Sequence, residues 1–119
     1  PLDISPTALA IVREGMLQVT NGGLGTARKY NLEQSFGGMA GKTGTVQVKR
    51  ITKAQREKGI VKNIDRPWVE RDHALFVAYA PIKNPRYAIS VIVEHGGSGS
   101  STAAPIARDI LRKTIKVRG

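Results

Sequence analysis

The segment that decides the fold of this chain spans residues 37–48 and reads Gly37-Gly38-Met39-Ala40-Gly41-Lys42-Thr43-Gly44-Thr45-Val46-Gln47-Val48. Small residues come first and leave the backbone uncovered, and the rest of the segment has the β-branched composition of a strand. Glycine lets a ligand approach the backbone closely, and lysine supplies a compact positive charge. Thr43 and Thr45 are two residues apart, so their hydroxyl groups lie on the same side of a strand. Together with Lys42 and Gly44, they form a candidate site for a carboxylate or an oxyanion.

The triplet Gly41-Lys42-Thr43 also matches the end of a phosphate-binding P-loop, whose pattern is G-x-x-x-x-G-K-[ST]. The first glycine of that pattern would fall at position 36, which is phenylalanine. A P-loop lysine opens a helix, whereas the residues after Lys42 favour a strand and contain an internal glycine. The triplet is more typical of serine acyl-transfer enzymes that act on D-alanyl peptides and β-lactams, where K-T-G lies on a strand.

Length and composition limit the class of protein. The chain has 119 residues, 40% of them apolar, which is enough for one modest domain with a packed core. It contains no cysteine, which excludes disulfide bonds and thiolate metal sites. No run of about 18 apolar residues is present, so we expect no membrane span within it. Because the first residue is Pro1, we expect a processed chain or a piece of a longer protein.

The chain is strongly basic, with 19 Lys and Arg against 9 Asp and Glu and a net charge of +10. Such a charge attracts an anionic partner, either nucleic acid or an acidic membrane or wall surface. No nucleic-acid motif accompanies the charge, and aromatic residues at 5% are too few for a base-stacking platform. A solvated basic surface or a wall-facing surface is therefore favoured, and a basic nucleic-acid-binding module is the alternative function.

Apolar periodicity and chain-breaking residues predict an α+β fold with the order helix, strand, long loop, strand, strand, helix. The long loop covers about 49–71, where Trp68 is expected to hold it against the body and 52–58 to form a short exposed helix. The connector 24–34 is either a plain surface segment or one wall of a cleft, and the sequence leaves both readings open. The other predicted elements are a core-facing helix capped by Ser5 and stopped at 21–23, strands over 40–48, 72–80 and 87–94, a flexible stop at 96–100, and a final helix capped by Ser101 or Thr102.

The strands are expected to form a three-stranded antiparallel sheet packed with the N- and C-terminal helices. Residues 72–80 are apolar on both faces, which predicts a central strand covered on both sides. The short turn at 81–86 joins this strand to the next as a hairpin. Such a sheet more naturally forms half of a larger sheet than a finished domain. We therefore expect its exposed edge to pair with another chain and to support dimerisation or strand exchange.

Segments 42–48, 71–81 and 93–97, together with the closing helix, resemble the C-terminal end of class B penicillin-binding proteins. The resemblance spans nearly the whole chain and implies that residues 1–119 are the C-terminal portion of a transpeptidase domain. It implies a peptidoglycan D,D-transpeptidase that cross-links stem peptides by serine acyl transfer at the periplasmic face of the inner membrane, anchored outside this chain. The implied partners are stem peptides ending in D-Ala-D-Ala, β-lactams and the missing N-terminal part of the domain. No metal or other cofactor is implied.

The resemblance also implies a role for each residue of the Lys42–Thr45 segment, whose catalytic candidates are Lys42 and Thr45. Lys42 would sit beside the serine of a second motif and help to hold the donor stem peptide. Thr43 and Thr45 would hydrogen-bond the terminal carboxylate of D-Ala-D-Ala or of a β-lactam. Gly44 would let the substrate lie against the strand. The backbone N–H of Thr45 would be one of two oxyanion-hole donors.

Two motifs that this chemistry requires are missing from the chain. The family uses S-x-x-K for the acylated serine and its lysine, and S-x-N as a second motif. None of the six serines has lysine three residues later or asparagine two residues later. We therefore expect the chain to hold part of the carboxylate site without being acylated itself. His73 and His95 have no third ligand at a recognisable spacing, so they predict no metal site.

Overall fold

The three predicted strands form one antiparallel sheet in the computed structural model, which describes residues 2–119. Strand β1 is Ala40–Val46, β2 is His73–Ala80 and β3 is Tyr87–Val93. The strand order is β1-β2-β3, so β2 is central and β1 and β3 form the two edges. The predicted α+β architecture, including the β2–β3 hairpin, is therefore confirmed.

Three α-helices accompany the sheet: α1 is Pro6–Asn21, α2 is Lys53–Glu57 and α3 is Ala104–Arg118. Ser5 caps α1 as predicted, its Oγ accepting the N–H of Ala8 at 3.5 Å. The short helix α2 begins with a capping box, in which Thr52 and Gln55 each accept a backbone N–H of the other. In the part of the chain that the structure describes, no helix combines the length and the apolar composition needed to cross a bilayer.

The predicted start of the final helix is wrong. A π-helical turn, Gly99–Ala103, precedes α3, and Ser98 is its cap, with Oγ accepting the N–H of Ser101 at 3.4 Å. Gly97 and Gly99 are buried, and the N–H of Gly97 donates to Asp72 O at 2.8 Å. The glycine-rich segment is thus a packed connection and not a flexible stop, because residues without side chains let the backbone lie directly on the sheet.

The core lies on one face of the sheet. Alternate residues of β2 point into it and are buried, and small side chains of the π-helical turn and α3 pack against them. These small residues let the C-terminal helix approach the sheet closely. The buried residues of β2 and of this helical segment are Ala74, Phe76, Ala78, Ala80, Ala103, Ala104, Ala107 and Leu111.

The other face of the sheet, called the open face below, is largely exposed within residues 2–119. Val77 is 43% exposed and Ile92 is 65% exposed, although both are strand residues of apolar type. Helix α1 is also uncovered over much of its length, with Ile11 at 68% and Val12 at 57% exposed. The predictions that β2 is covered on both sides and that α1 faces the core are therefore wrong for the described residues. The apolar pattern is present, but within residues 2–119 only α1 lies against this face, at the end where Ala40 is fully buried.

The long loop is attached to the sheet by a buried carboxylate. Asp72, just before β2, is 9% exposed and accepts hydrogen bonds from Asn63 Nδ2 at 3.2 Å and Arg66 Nη1 at 3.4 Å. It also accepts the N–H of Val48 at 3.3 Å, so it joins both ends of the loop. Trp68 contacts the body through the ring of His95, 4.4 Å between centroids, but is itself 57% exposed. Polar contacts to Asp72 therefore hold the loop more than the indole does.

Candidate substrate-binding strand

The candidate site lies on an edge of the sheet. Residues 42–45 are extended within β1, which pairs with β2 on one side only. On its outer side, alternate backbone groups have no strand partner among residues 2–119. Lys42 and Thr45 are exposed, and Thr43 and Gly44 are partly buried. An exposed edge of this kind can accept an extended peptide through main-chain hydrogen bonds.

The register of β1 against β2 divides the site between the two faces of the sheet. Thr43 lies opposite Phe76 and Thr45 opposite Ala74, which are residues of the buried face. The two hydroxyl-bearing side chains therefore share one face, as the spacing predicts. Lys42 lies opposite Val77, so its side chain leaves from the open face. Lys42 and the two threonines are thus close in sequence, but their side chains lie on opposite faces of the sheet.

The ammonium group of Lys42 is held by the backbone beside it. Its Nζ donates to Thr43 O at 2.6 Å, and the side chain is exposed. Within the described residues it forms no ion pair with Asp or Glu. An ammonium group carries three N–H donors, so Lys42 keeps charge and donors for another group.

Thr43 has a hydroxyl partner that the sequence did not reveal. Its Oγ lies 3.1 Å from Oγ of Thr26, which is 17 residues earlier in the connector 24–34. The connector therefore touches the candidate site through Thr26, a contact that favours the reading of this segment as one wall of a cleft. No spacing rule links the two positions, so only the folded chain shows that they meet.

A polar network fixes the residue immediately before β1. Thr20 at the end of α1 is fully buried, and its Oγ donates to Met39 O at 2.7 Å. Asn31 accepts the N–H of Met39 at 3.3 Å, and its Nδ2 donates to Asn21 Oδ1 at 2.7 Å. Helix α1, the connector and the start of β1 are thereby joined by hydrogen bonds, which sets the position of the Lys42–Thr45 segment.

An ion pair joins the connector to α3. Arg112 donates from Nε to Glu33 Oε2 at 3.1 Å and from Nη1 to Asp109 Oδ1 at 3.1 Å. The hydrogen bond from Arg112 lowers the pKa of Glu33 below its ordinary value. The hydrogen bond from Arg108 lowers the pKa of Asp109 in the same way. All four side chains are at least partly exposed, so the pairs orient the connector and add little stability.

Comparison with known protein families identifies the fold. The family model described as the penicillin binding protein transpeptidase domain matches residues 1–112. The chain belongs to this family. The resemblance to class B penicillin-binding proteins is therefore confirmed, and the relatives described next are of the penicillin-binding protein 2 type.

Several transpeptidases are similar to this chain in sequence, in structure or in both. The peptidoglycan D,D-transpeptidase MrdA of Haemophilus influenzae is 39% identical over 101 residues, which are 83% of this chain and 14% of that protein. The crystal structure of Pseudomonas aeruginosa PBP2 in complex with WCK 5153 aligns with a TM-score of 0.65 and 37% identity, covering 93% of this chain and 20% of that one. The complex of PBP2 and MreC from Helicobacter pylori aligns with a TM-score of 0.70 and 28% identity, over 93% of this chain and 18% of that one.

The transpeptidase chain therefore spans only 14% of the length of its Haemophilus influenzae relative. Membership in the family gives no support to the alternative of a nucleic-acid-binding module. The individual roles of Lys42, Thr43, Gly44 and Thr45 remain predictions, because a match of family and fold does not test single side chains.

Proposed function

We propose that this chain is the C-terminal portion of a peptidoglycan D,D-transpeptidase and that residues 42–45 bind the terminal carboxylate of a donor stem peptide or of a β-lactam. The observation that carries the proposal is the position of Lys-Thr-Gly-Thr on an exposed edge strand of a transpeptidase-family fold. The longer protein that would contain this chain is called the parent protein below.

The geometry of the strand suits an anionic, extended ligand. A D-alanyl peptide laid along the free edge of β1 would extend the sheet by main-chain hydrogen bonds. The hydroxyls of Thr43 and Thr45, on one face, would donate to its carboxylate, and the net charge of +10 would favour an anion. The N–H of Thr45 would stabilise the oxyanion of the tetrahedral intermediate, a contribution of about 3 kcal/mol for one such donor.

The covalent step would use groups outside this chain. The acylated serine, its lysine and the S-x-N serine would come from the rest of the domain, since none of the six serines here lies in either motif. Lys42 leaves from the open face of the sheet, where Val77 and Ile92 are exposed. The remaining part of the domain would cover this face and bring the S-x-N serine to Lys42. The parent protein would be held at the periplasmic face of the inner membrane by a segment outside these residues.

A hybrid transpeptidase tests the proposal. In the hybrid, this chain replaces the matching segment of the Haemophilus influenzae relative, so that every motif is present. A fluorescent penicillin should label the hybrid covalently and leave the isolated chain unlabelled. A covalent adduct on the isolated chain would contradict the proposal, because it would require a nucleophile within these residues.

Single substitutions in the hybrid locate the site. Lys42→Ala should slow acylation by about two to three orders of magnitude, the loss typical of removing a charged or oxyanion-stabilising group. Lys83→Ala is the matched control, because Lys83 is an exposed lysine of the β2–β3 turn. Equal acylation of the two variants would show that Lys42 takes no part.

A further inference from the structure

A second hydroxyl group lies beside the candidate carboxylate-binding threonine. Thr26 Oγ is 3.1 Å from Thr43 Oγ, a distance within the range of a hydrogen bond between hydroxyls. Thr26 is exposed and belongs to neither the Lys-Thr-Gly-Thr segment nor any other motif found in the sequence. The proposed roles of residues 42–45 therefore do not explain why Thr26 contacts Thr43.

The backbone on both sides of Thr26 is fixed against the end of α1. Gly25 packs so tightly on Val19 O that a Cβ atom there would overlap the carbonyl group. Ala27 is fully buried, and its N–H donates to Val19 O at 3.0 Å. Thr26 thus stands between two anchored residues, so its hydroxyl is presented to Thr43 at little conformational cost.

The number of protons on a hydroxyl group decides what this pair can do. A threonine hydroxyl donates one hydrogen bond and accepts up to two. If Thr43 donated to Thr26, it would have no proton left for a carboxylate. If Thr26 donates, Thr43 keeps its proton for an anion, and the chain of hydrogen bonds polarises that O–H further. A carboxylate at Thr43 accepts but cannot donate, so it selects the second arrangement.

We propose that Thr26 is a positioning residue that donates to Thr43 and thereby directs the Thr43 hydroxyl proton toward the carboxylate of the ligand. The inference rests on the proposed function, because it concerns the same carboxylate. It adds a specificity that the function alone does not contain: Thr26 acts more strongly on ligands with a free carboxylate than on their neutral esters, because a hydrogen bond to a charged acceptor is the stronger one.

The hybrid transpeptidase and two ligands test this inference. Second-order acylation rates are measured with benzylpenicillin, which has a free carboxylate, and with its methyl ester, which has none. Thr26→Val keeps the shape of the side chain and removes the hydroxyl. It should lower the rate with benzylpenicillin by about threefold to tenfold, the range of one hydrogen bond, and lower the rate with the methyl ester clearly less. Thr26→Ser should restore the benzylpenicillin rate.

Ser35→Ala is the matched control. Ser35 is exposed, follows the same connector, and its hydroxyl forms no hydrogen bond with the residues that the structure describes. This variant should react with both ligands as the unsubstituted hybrid does. If Thr26→Val lowers the melting temperature of the hybrid, Thr26→Ala serves as the second variant, and the ratio of the two ligand rates remains the readout.

A double substitution separates this inference from the proposed function. Thr43→Val should slow benzylpenicillin more than its ester, and adding Thr26→Val should then change neither rate. If Thr26→Val slows both ligands equally, or still acts in the Thr43→Val protein, the inference is overturned and the proposed function stands. If Thr43→Val slows neither ligand selectively, the proposed function of residues 42–45 fails, and the inference fails with it.

Discussion

Gly99 lies against Gly44 so closely that a Cβ atom at position 99 would overlap the carbonyl oxygens of both Gly44 and Leu75. The connection into α3 therefore presses directly on the middle of the candidate substrate strand. Gly99 is buried, and the π-helical turn that it begins contacts both β1 and β2. The position of residues 42–45 is thus set from one side by this turn and from the other by the network around Met39.

Gly99→Ala should shift the strand and slow acylation of the hybrid by penicillin. The added methyl group has only backbone to displace, so we expect destabilisation of about 1–3 kcal/mol, typical of overpacking. Thermal unfolding of the transpeptidase domain and the acylation rate are the two measurements. Gly15→Ala is the control, because Gly15 lies in α1 with no atom within 4 Å of an added Cβ. It should stabilise the domain by up to about 1 kcal/mol. Equal stability of Gly99→Ala and the unsubstituted hybrid would contradict the close packing described above.

Asp72→Ala should release the long loop. The change leaves the Arg66 side chain, 10% exposed, without its carboxylate and removes acceptors for Asn63 and for the Val48 N–H. Because breaking a buried pair strands a charge, we expect a loss of about 3 kcal/mol. Trypsin should cut faster within 49–71, a segment rich in Lys and Arg. Asp65→Ala, at an exposed carboxylate in the same loop, should leave both stability and cleavage unchanged. If the Asp72→Ala variant resists trypsin as well as the unsubstituted protein does, other contacts hold the loop.

Glu33→Gln should make the stability of the hybrid less dependent on acid pH. Arg112 holds the pKa of Glu33 below its ordinary value of 4.5, so the folded state favours the ionised carboxylate. This contribution is fully present above the pKa of the unfolded chain and is lost as the pH falls through the lower, folded value. The difference in melting temperature between the two proteins should therefore be constant near neutrality and close on acidification. Glu57→Gln, at an exposed carboxylate for which residues 2–119 supply no ion pair, should show no such difference. If the difference in melting temperature instead grew as the pH fell, the assigned direction of the Glu33 pKa shift would be wrong.

The isolated chain should self-associate. Both edge strands, β1 and β3, lack a strand partner on one side within the described residues, and the open face presents Val77 and Ile92. Exposed strand edges and apolar patches both promote association. Sedimentation velocity should show species larger than a monomer, and Ile92→Lys should reduce them. Val117→Lys, at a residue that is 77% exposed near the end of α3, is the control. A clean monomer at high concentration would count against this prediction.

Local features of the fold could be predicted from the sequence because they depend on neighbours a few positions apart. The caps at Ser5 and Thr52 follow from the spacing of hydroxyl groups and amides, and the strands follow from alternation. The shared face of Thr43 and Thr45 follows from the period of a strand. Each of these features depends only on residues that are close together in the sequence.

Features that depend on distant parts of the chain could not be predicted. The apolar pattern of α1 indicates that a face is to be covered but not whether these residues cover it. The sequence indicates Asp72 only as the start of a strand, although its carboxylate joins both ends of the long loop. The contact between Thr26 and Thr43 has no signal in spacing or composition. Composition predicts a flexible stop at Gly99, because it does not distinguish a mobile glycine from one buried in close contact.

The central claim is tested most directly by a crystal structure of the hybrid transpeptidase after reaction with benzylpenicillin. We predict that the β-lactam carboxylate lies within hydrogen-bonding distance of Thr43 Oγ and Thr45 Oγ, with the acyl carbonyl oxygen at the N–H of Thr45. A bound penicillin whose carboxylate contacts neither threonine would contradict the assignment of β1 as the substrate-binding strand.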